Sequence, residues 1–277
     1  MKLFRFVFAL TIAVVFATAA LAQGSIPEGS NRVAPCGPEI AMRPLLQPAT
    51  FTLAADPLPA KSVRIRFIGH NTFQIETPGG ITALTDYNGV LHGEQVPEIV
   101  TMNIGHPNHY TNDIDPRIKH ALRGWDPAGG VARNDVTVGD LRVFSVPTDL
   151  VNRFGDGGVR NNNSMFVFRV ANICIGHAGH LNRPLTKEEI AEIGHIDVLM
   201  LPIDGMATLR HDDAMTVIEQ FRPAIVIPMH IIFRAAADRF AAVAEKLYPI
   251  RILGSRTFIV SRDMLPGRTE IVFLQEE

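Results

Sequence analysis

Cysteine, tryptophan and clustered positive charge are all scarce in this 277-residue sequence. It contains two cysteines and one tryptophan, and its formal net charge is −2, with no run of lysines or arginines. Two cysteines do not form a zinc finger, and a nucleic-acid-binding surface needs clustered basic residues. We therefore expect no nucleic-acid partner. Hydrophobic residues make up 47% of the chain and charged residues 19%, which indicates a globular protein.

A long hydrophobic run occurs only at the N-terminus, which reads "MKLFRFVFALTIAVVFATAALAQG". A positively charged start, an apolar run and a closing small-x-small triplet are typical of a secretory signal peptide. We predict a signal peptide at 1–22, cleaved before Gln23; the alternative is an uncleaved membrane anchor. No cysteine follows the cleavage site, so a lipid anchor is not indicated. The expectation is a periplasmic or secreted protein with no stable membrane anchor after cleavage.

The next segment, 23–60, contains seven prolines and no sustained periodicity. Such composition favours an extended leader that lies on the surface of the following domain, which we place at 61–277. An exported protein can form disulfides, and a bond between Cys36 and Cys174 would fix this leader to the core. The sequence leaves that pairing open, and it carries no information on oligomeric state.

The body of the chain changes character near residue 185. Before it, short apolar runs with partial alternation predict strands, among them "SVRIRFI", "NTFQIET", "PEIVTMN" and "LRVFSVP". After it, buried strands alternate with helices, and Thr186 with Glu189 forms the sequence pattern of a capping box. The rhythm predicts an α/β protein in which two sheets pack face to face with helices outside them.

Five histidines follow or end strand-like runs and stand within two residues of Gly or Pro: His70, His106, His109, His177 and His230. Strand ends at one edge of a sheet are where α/β folds gather their functional groups, and neutral imidazole is the commonest protein ligand for zinc-like metals. A lone histidine there is more often a hydrogen-bonded edge residue. Residue patterns alone therefore leave a metal site and an ordinary polar edge equally open.

The order of these segments resembles the metallo-β-lactamase fold superfamily, in its lactonase-like and zinc-dependent hydrolase branch. The segments that carry the resemblance are "FIGHNTFQIETPGGITALTD", "PEIVTMNIGHPNHYTND", "ICIGHAGHL", "IDVLMLPIDG" and "PAIVIPMH". Asp86 matches the Asp that closes the branch's second sheet segment. The resemblance implies a four-layer αββα sandwich with a metal centre.

The chain departs from the superfamily's H-x-H-x-D-H motif. Its first His falls on Ile104 and its Asp on Asn108, while its other two histidines are kept as His106 and His109. On this resemblance the Asp that bridges two metals falls on His177. A two-metal centre needs an anionic bridge to offset four positive charges, and here both carboxylates are replaced by neutral groups. The resemblance therefore implies one divalent transition metal, expected to be Zn²⁺.

We expect His109, His177 and His230 to hold this ion, with His106 near by. Three imidazoles and a water form a known catalytic zinc arrangement, in which the pKa of the water falls toward about 7. Asn108 is expected to orient the water, Asp86 and His70 to brace the edge from behind, and His180 to support a loop. The matching chemistry is hydroxide attack on an ester, lactone, amide or phosphoester of a small molecule.

Two alternatives come from other classes of protein. The replacement of a ligand by Ile104 fits a catalytically silent binding protein that keeps only the fold. A histidine cluster also fits a metal-binding or redox protein without hydrolytic activity.

Overall fold

The computed structural model describes residues 58–93, 95–152 and 158–274, and all of them belong to one compact unit, Val33–Glu277. The predicted signal peptide at 1–22 and nearly all of the Pro-rich leader lie outside the described residues. Within the described part, no helix has the length and apolar character needed to cross a membrane.

The described chain forms fourteen strands, three α-helices and one short 3₁₀ helix at Arg262–Met264. The strands are β1 Ser62–Gly69, β2 Thr72–Glu76, β3 Thr82–Leu84, β4 Ile99–Met102, β5 His120–Arg123, β6 Asp135–Val138, β7 Leu141–Val151, β8 Gly158–Val170, β9 Ile173–His177, β10 Val198–Pro202, β11 Ile225–Met229, β12 Ile250–Leu253, β13 Thr257–Ser261 and β14 Glu270–Leu274. The helices are α1 Lys187–Ile193, α2 His211–Phe221 and α3 Arg234–Ala244.

The strands form two mixed sheets. One has six strands in the order β13-β1-β2-β3-β4-β5, and the other has eight in the order β12-β14-β11-β10-β9-β8-β7-β6. Antiparallel hairpins build the early part of each sheet, whereas β9, β10 and β11 run parallel and are connected through α1 and α2. Parallel strands with crossover helices direct their carboxyl ends to the same edge of the sheet.

One hydrophobic core lies between the sheets. Val63 and Ile65 of the six-stranded sheet belong to the same cluster of buried side chains as Phe144, Phe166 and Phe168 of the eight-stranded sheet. Burying these side chains removes apolar surface from water, which stabilises the fold by roughly 25 cal/mol per Å² of apolar area buried. The strands β10 and β11 are buried along their whole length, which explains their continuously apolar sequences.

Local signals in the sequence match the observed element ends. Thr186 caps α1, and both hydrogen bonds of the predicted capping box with Glu189 are present. Helix α2 ends at Phe221, where Arg222 adopts a left-handed conformation before Pro223. The predicted α/β sandwich of metallo-β-lactamase type is confirmed. In the described residues its three α-helices all connect strands of the eight-stranded sheet.

Cys174 lies in β9 and is disulfide-bonded. The other cysteine of the chain, Cys36, falls outside the described residues.

Candidate metal centre

The carboxyl ends of five strands from the two sheets carry the polar side chains of one site. His70 follows β1, Asp86 follows β3 and His109 lies in the loop after β4, all in the six-stranded sheet. Asp204 follows β10 and His230 follows β11, both in the eight-stranded sheet. The site therefore joins the two sheets at one edge, as the positions of the histidines along the sequence predict.

His70, His109 and His230 form the central group. One nitrogen from each ring lies within 4.8 Å of one nitrogen from each of the others. The rings of His70 and His230 approach to 4.2 Å between centroids, and those of His109 and His230 to 5.5 Å. Three imidazole nitrogens at this spacing are the donor set that zinc and other late transition metals prefer.

Asp86 lies behind His109 and fixes its orientation. Its Oδ2 accepts a hydrogen bond from His109 Nδ1 at 2.7 Å, and its Oδ1 accepts one from the backbone N–H of Asn103 at 2.9 Å. Asn71 donates to the same carboxylate at 2.6 Å. Because Nδ1 of His109 carries this proton, Nε2 keeps its lone pair and is free to bind a cation.

The carboxylate of Asp86 is fully buried, and burial alone would raise its pKa. Attraction to His109 and the hydrogen bond from its ring outweigh that penalty and lower the pKa of Asp86 below its ordinary value. Asp86 is therefore ionised at neutral pH, and its negative charge lies on the Nδ1 side of the His109 ring, opposite Nε2.

Asp204 occupies the equivalent position behind His230. Its Oδ2 lies 3.0 Å from His230 Nδ1, an ion-pair distance that lacks good hydrogen-bond geometry. Its Oδ1 accepts hydrogen bonds from Met206 N–H and from the N–H and hydroxyl of Thr208. Burial opposes ionisation, but the contact with His230 and these donors lower the pKa of Asp204. Two imidazoles of the group thus have a carboxylate behind them.

The backbone at the site adopts conformations that are unfavourable for most residues. His70, Asp86 and His230 have φ angles of 52°, 43° and 58°, in the left-handed region. The backbone N–H of His230 donates to the carbonyl of His70 at 2.9 Å and ties the two segments together. Strained residues of this kind persist where the surrounding fold fixes them, and they concentrate at functional sites.

His70 presents an unsatisfied donor or acceptor to the group, since its Nε2 is buried and has no hydrogen-bond partner. Burial, together with the neighbouring His230 and His109, lowers the pKa of His70 to about 4. The ring is therefore neutral at pH 7. A neutral imidazole with an unpaired buried nitrogen is suited to binding a cation.

Two more histidines lie at the outer side of the group. Nδ1 of His180 lies 3.2 Å from Nε2 of His109, and the ring of His180 stacks on the exposed His106 at 5.8 Å between centroids. The ring of His106 also lies 5.9 Å from that of His109. Burial and the nearby imidazoles lower the pKa of His180 to about 3 and also lower the pKa of His106.

The structure does not bring His177 into this group. It is the last residue of β9, is fully buried, and donates through Nε2 to the carbonyl of Asn71 at 2.8 Å. Its ring lies against Phe73 at 6.1 Å between centroids. His70, which the sequence indicated as a brace behind the site, takes the third place in the cluster instead.

The remaining expected site residues have distinct positions. Asp86 lies behind His109, so its place is that of a brace and it does not face an open site. Asn108 lies exposed in the loop between His106 and His109, where its backbone carbonyl accepts a hydrogen bond from Asn88 at 3.2 Å. Its expected role with a water stays a prediction. Asp204 was missed by sequence reasoning, although its position directly after β10 is the same signal that singled out the histidines.

Two sheets packed on one core, with an imidazole cluster at their common edge, define the metallo-β-lactamase class of fold. A sequence profile described as "Beta-lactamase superfamily domain" matches residues 64–230. The chain belongs to this superfamily.

Relatives and solved structures agree with that membership. The chain is 27% identical over 207 residues to a UPF0173 metal-dependent hydrolase of Nanoarchaeum equitans, covering 66% of this chain and 93% of the relative. It is 31% identical over 191 residues to one of Carboxydothermus hydrogenoformans, covering 61% and 84%.

Among solved structures, a metallo-beta-lactamase superfamily protein of Thermotoga maritima superposes with a TM-score of 0.56 at 24% identity, covering 76% of this chain and 98% of the other. The metallo hydrolase Igni18 of Ignicoccus hospitalis superposes with a TM-score of 0.54 at 18% identity, covering 72% and 99%. At these sequence identities the two superpositions support the fold assignment alone.

Proposed function

We propose that the protein is a metal-dependent hydrolase that binds one divalent transition metal through His70, His109 and His230. The observation that carries this proposal is the approach of three imidazole nitrogens to within 4.8 Å of one another at the edge shared by both sheets. The curated relatives are named metal-dependent hydrolases, which supports the same reaction class.

The residues present fit a late transition metal. The donors are imidazole nitrogens, Nε2 of His70 is buried without a hydrogen-bond partner, and carboxylates lie behind the rings of His109 and His230. A carboxylate that accepts the second N–H of a ligating histidine raises the basicity of the ring and fixes its tautomer. Zn²⁺ is the expected ion because it binds well to three imidazoles.

A single ion is supported by the charge balance of the outer positions. Ile104, where the superfamily motif has a His, is buried and pairs through its backbone with Asn163. His106, Asn108 and His180 contribute no negative charge at neutral pH. Two divalent ions held close together need an anionic ligand between them, and these side chains do not supply one.

When bound, the metal would supply Lewis acidity toward a substrate carbonyl and would lower the pKa of a water. The protein's own residues orient the histidines of the site. Asp86 holds His109 by a hydrogen bond so that Nε2 faces the site, and Asp204 lies 3.0 Å from Nδ1 of His230. The loops after β1, β4 and β11 keep the three imidazoles in one place before substrate arrives, which reduces the reorganisation needed for reaction.

Exposed apolar side chains that follow two of the site residues in the sequence favour an uncharged carbonyl substrate. Ile232 and Phe233 follow His230 by two and three residues, and their side chains are 48% and 65% exposed. Met206, two residues after Asp204, is 70% exposed. Such side chains would contact the apolar part of an ester or lactone, so we place these substrates ahead of amides and phosphoesters.

The test is hydrolysis of p-nitrophenyl acetate, γ-butyrolactone and bis(p-nitrophenyl) phosphate by the purified protein before and after chelation. We expect ester or lactone hydrolysis that chelation abolishes and one equivalent of Zn²⁺ restores. The double variant His109→Ala, His230→Ala should be inactive under every condition. Metal binding without hydrolysis of any of these compounds would favour the silent binding protein instead.

A further inference from the structure

We propose that His180 is a fourth imidazole ligand, so that the centre is an all-histidine site for a single ion. This inference rests on the proposed metal site and adds a residue that neither the residue pattern nor the tight three-histidine group includes. Nδ1 of His180 lies 3.2 Å from Nε2 of His109. In a tetrahedral zinc site with Zn–N distances of about 2.0 to 2.1 Å, neighbouring nitrogens lie about 3.3 Å apart.

The nitrogen of His109 that faces His180 is the one with the free lone pair, because its other nitrogen donates to Asp86 at 2.7 Å. Two arrangements bring a second imidazole nitrogen to this distance: an N–H···N hydrogen bond from His180, or a cation shared by two lone pairs. The ring of His180 also lies 5.3 Å from the ring of His230, between centroids. It therefore faces two of the three members of the central group, which favours the shared cation.

The loop that carries His180 is held in place by buried hydrogen bonds. The backbone N–H of His180 donates to Oδ1 of Asn163 at 2.9 Å, and Nδ2 of Asn163 donates to Thr148 Oγ1 and to the carbonyl of Ala178. Gly179 lies against Asn103 and has a φ of 58°, so a side chain there would collide with Asn103. A ligand on a loop fixed in this way needs little rearrangement to bind.

The resulting site has a distinctive chemistry. Four imidazole ligands would bring no negative charge to the ion, and the nearest carboxylates, Asp86 and Asp204, would act through the rings of His109 and His230. Imidazole donors without oxygen ligands favour copper and zinc over manganese or magnesium.

The experiment measures Cu²⁺ and Zn²⁺ binding to the purified protein and to three variants. The variants are His180→Ala, His180→Gln and the control His195→Ala, whose ring is half exposed and pairs with Asp197. We expect His180→Ala to weaken Zn²⁺ binding more than 100-fold, beyond the 10- to 100-fold typical of losing a group behind a ligand. The control should stay within threefold. Electron paramagnetic resonance of the Cu²⁺ form should show four coordinating nitrogens, and three in His180→Ala.

The glutamine variant separates the two roles of the ring, since its amide can hydrogen-bond to His109 but is a poor ligand for these ions. Restored affinity in His180→Gln, or an unchanged nitrogen count in His180→Ala, would overturn the inference and leave the three-histidine site intact. Absence of metal binding by the wild-type protein would instead overturn the proposed function. Thermal unfolding of the metal-free variants shows whether each one is folded.

Discussion

Oδ2 of Asp86 accepts a hydrogen bond from Nδ1 of His109 at 2.7 Å, and both side chains are fully buried. This pair joins the loop after β3 to the loop after β4 and determines which nitrogen of His109 faces the site. A residue far from His109 in the sequence thus sets the orientation of its ring, and this orientation does not depend on a bound ion.

Replacing Asp86 by Asn should weaken metal binding by about 10- to 100-fold. The amide keeps the size of the side chain but removes the charge that raises the basicity of His109. Competition titration with a chromophoric chelator measures the change. The matched control is Asp140→Asn, which alters a carboxylate bound to Thr77 and Gly79 in a distant turn. Equal affinity in wild type and Asp86→Asn would contradict the assigned role.

Asp204→Asn should also weaken metal binding, and by less than Asp86→Asn. The contact of Asp204 with His230 lacks good hydrogen-bond geometry, whereas its other oxygen mainly holds Met206 and Thr208. We therefore expect the loss of these hydrogen bonds in Asp204→Asn to lower the free energy of unfolding by about 1 to 3 kcal/mol. A fall in affinity greater than that of Asp86→Asn would show that the two carboxylates have been ranked wrongly.

The metal-free protein should lose stability as the pH falls from about 7 to about 4. The pKa values of His70 and His180 in the folded state are lowered to about 4 and about 3. Between these values and the ordinary pKa of about 6.5, the unfolded chain binds more protons than the folded one, so acid favours unfolding. Urea titrations of chelated protein across this range measure the effect, and His180→Gln should show a shallower dependence. A pH-independent midpoint would contradict the burial of these neutral rings.

Export stays a prediction, because the structure does not describe the first residues of the chain. The signal-peptide pattern predicts that expression in a Gram-negative host yields a periplasmic protein whose first residue is Gln23. N-terminal sequencing of the periplasmic fraction tests this. Recovery of the uncleaved chain in the membrane fraction would favour the anchor reading instead.

The architecture was readable from the sequence because its signals are local. The alternating runs of β1 and β2, the capping box at Thr186 and the fully apolar β10 and β11 each follow from a few neighbouring residues. The strands after residue 249, β12 to β14, lack such clear patterns and were not predicted.

The sequence predicted only some of the residues that form the site. Histidines at strand ends were expected to converge, and His109 and His230 do. The choice between His177 and His180 depended on where β9 ends, since the last strand residue is committed to the interior while a residue after the turn can reach the site. His70 lies in the cluster and His106 at its outer side. The backbone hydrogen bond from His230 N–H to the carbonyl of His70 ties their two segments together, and no sequence pattern encodes it.

The central claim is that His70, His109 and His230 bind one ion, and metal analysis of the purified protein tests it most directly. After reconstitution with Zn²⁺ and removal of excess ion, we expect about one equivalent per chain in the wild type. The double variant His109→Ala, His230→Ala should retain less than about a tenth of an equivalent. A wild-type content below about a tenth of an equivalent, after reconstitution with either zinc or copper, would contradict the account.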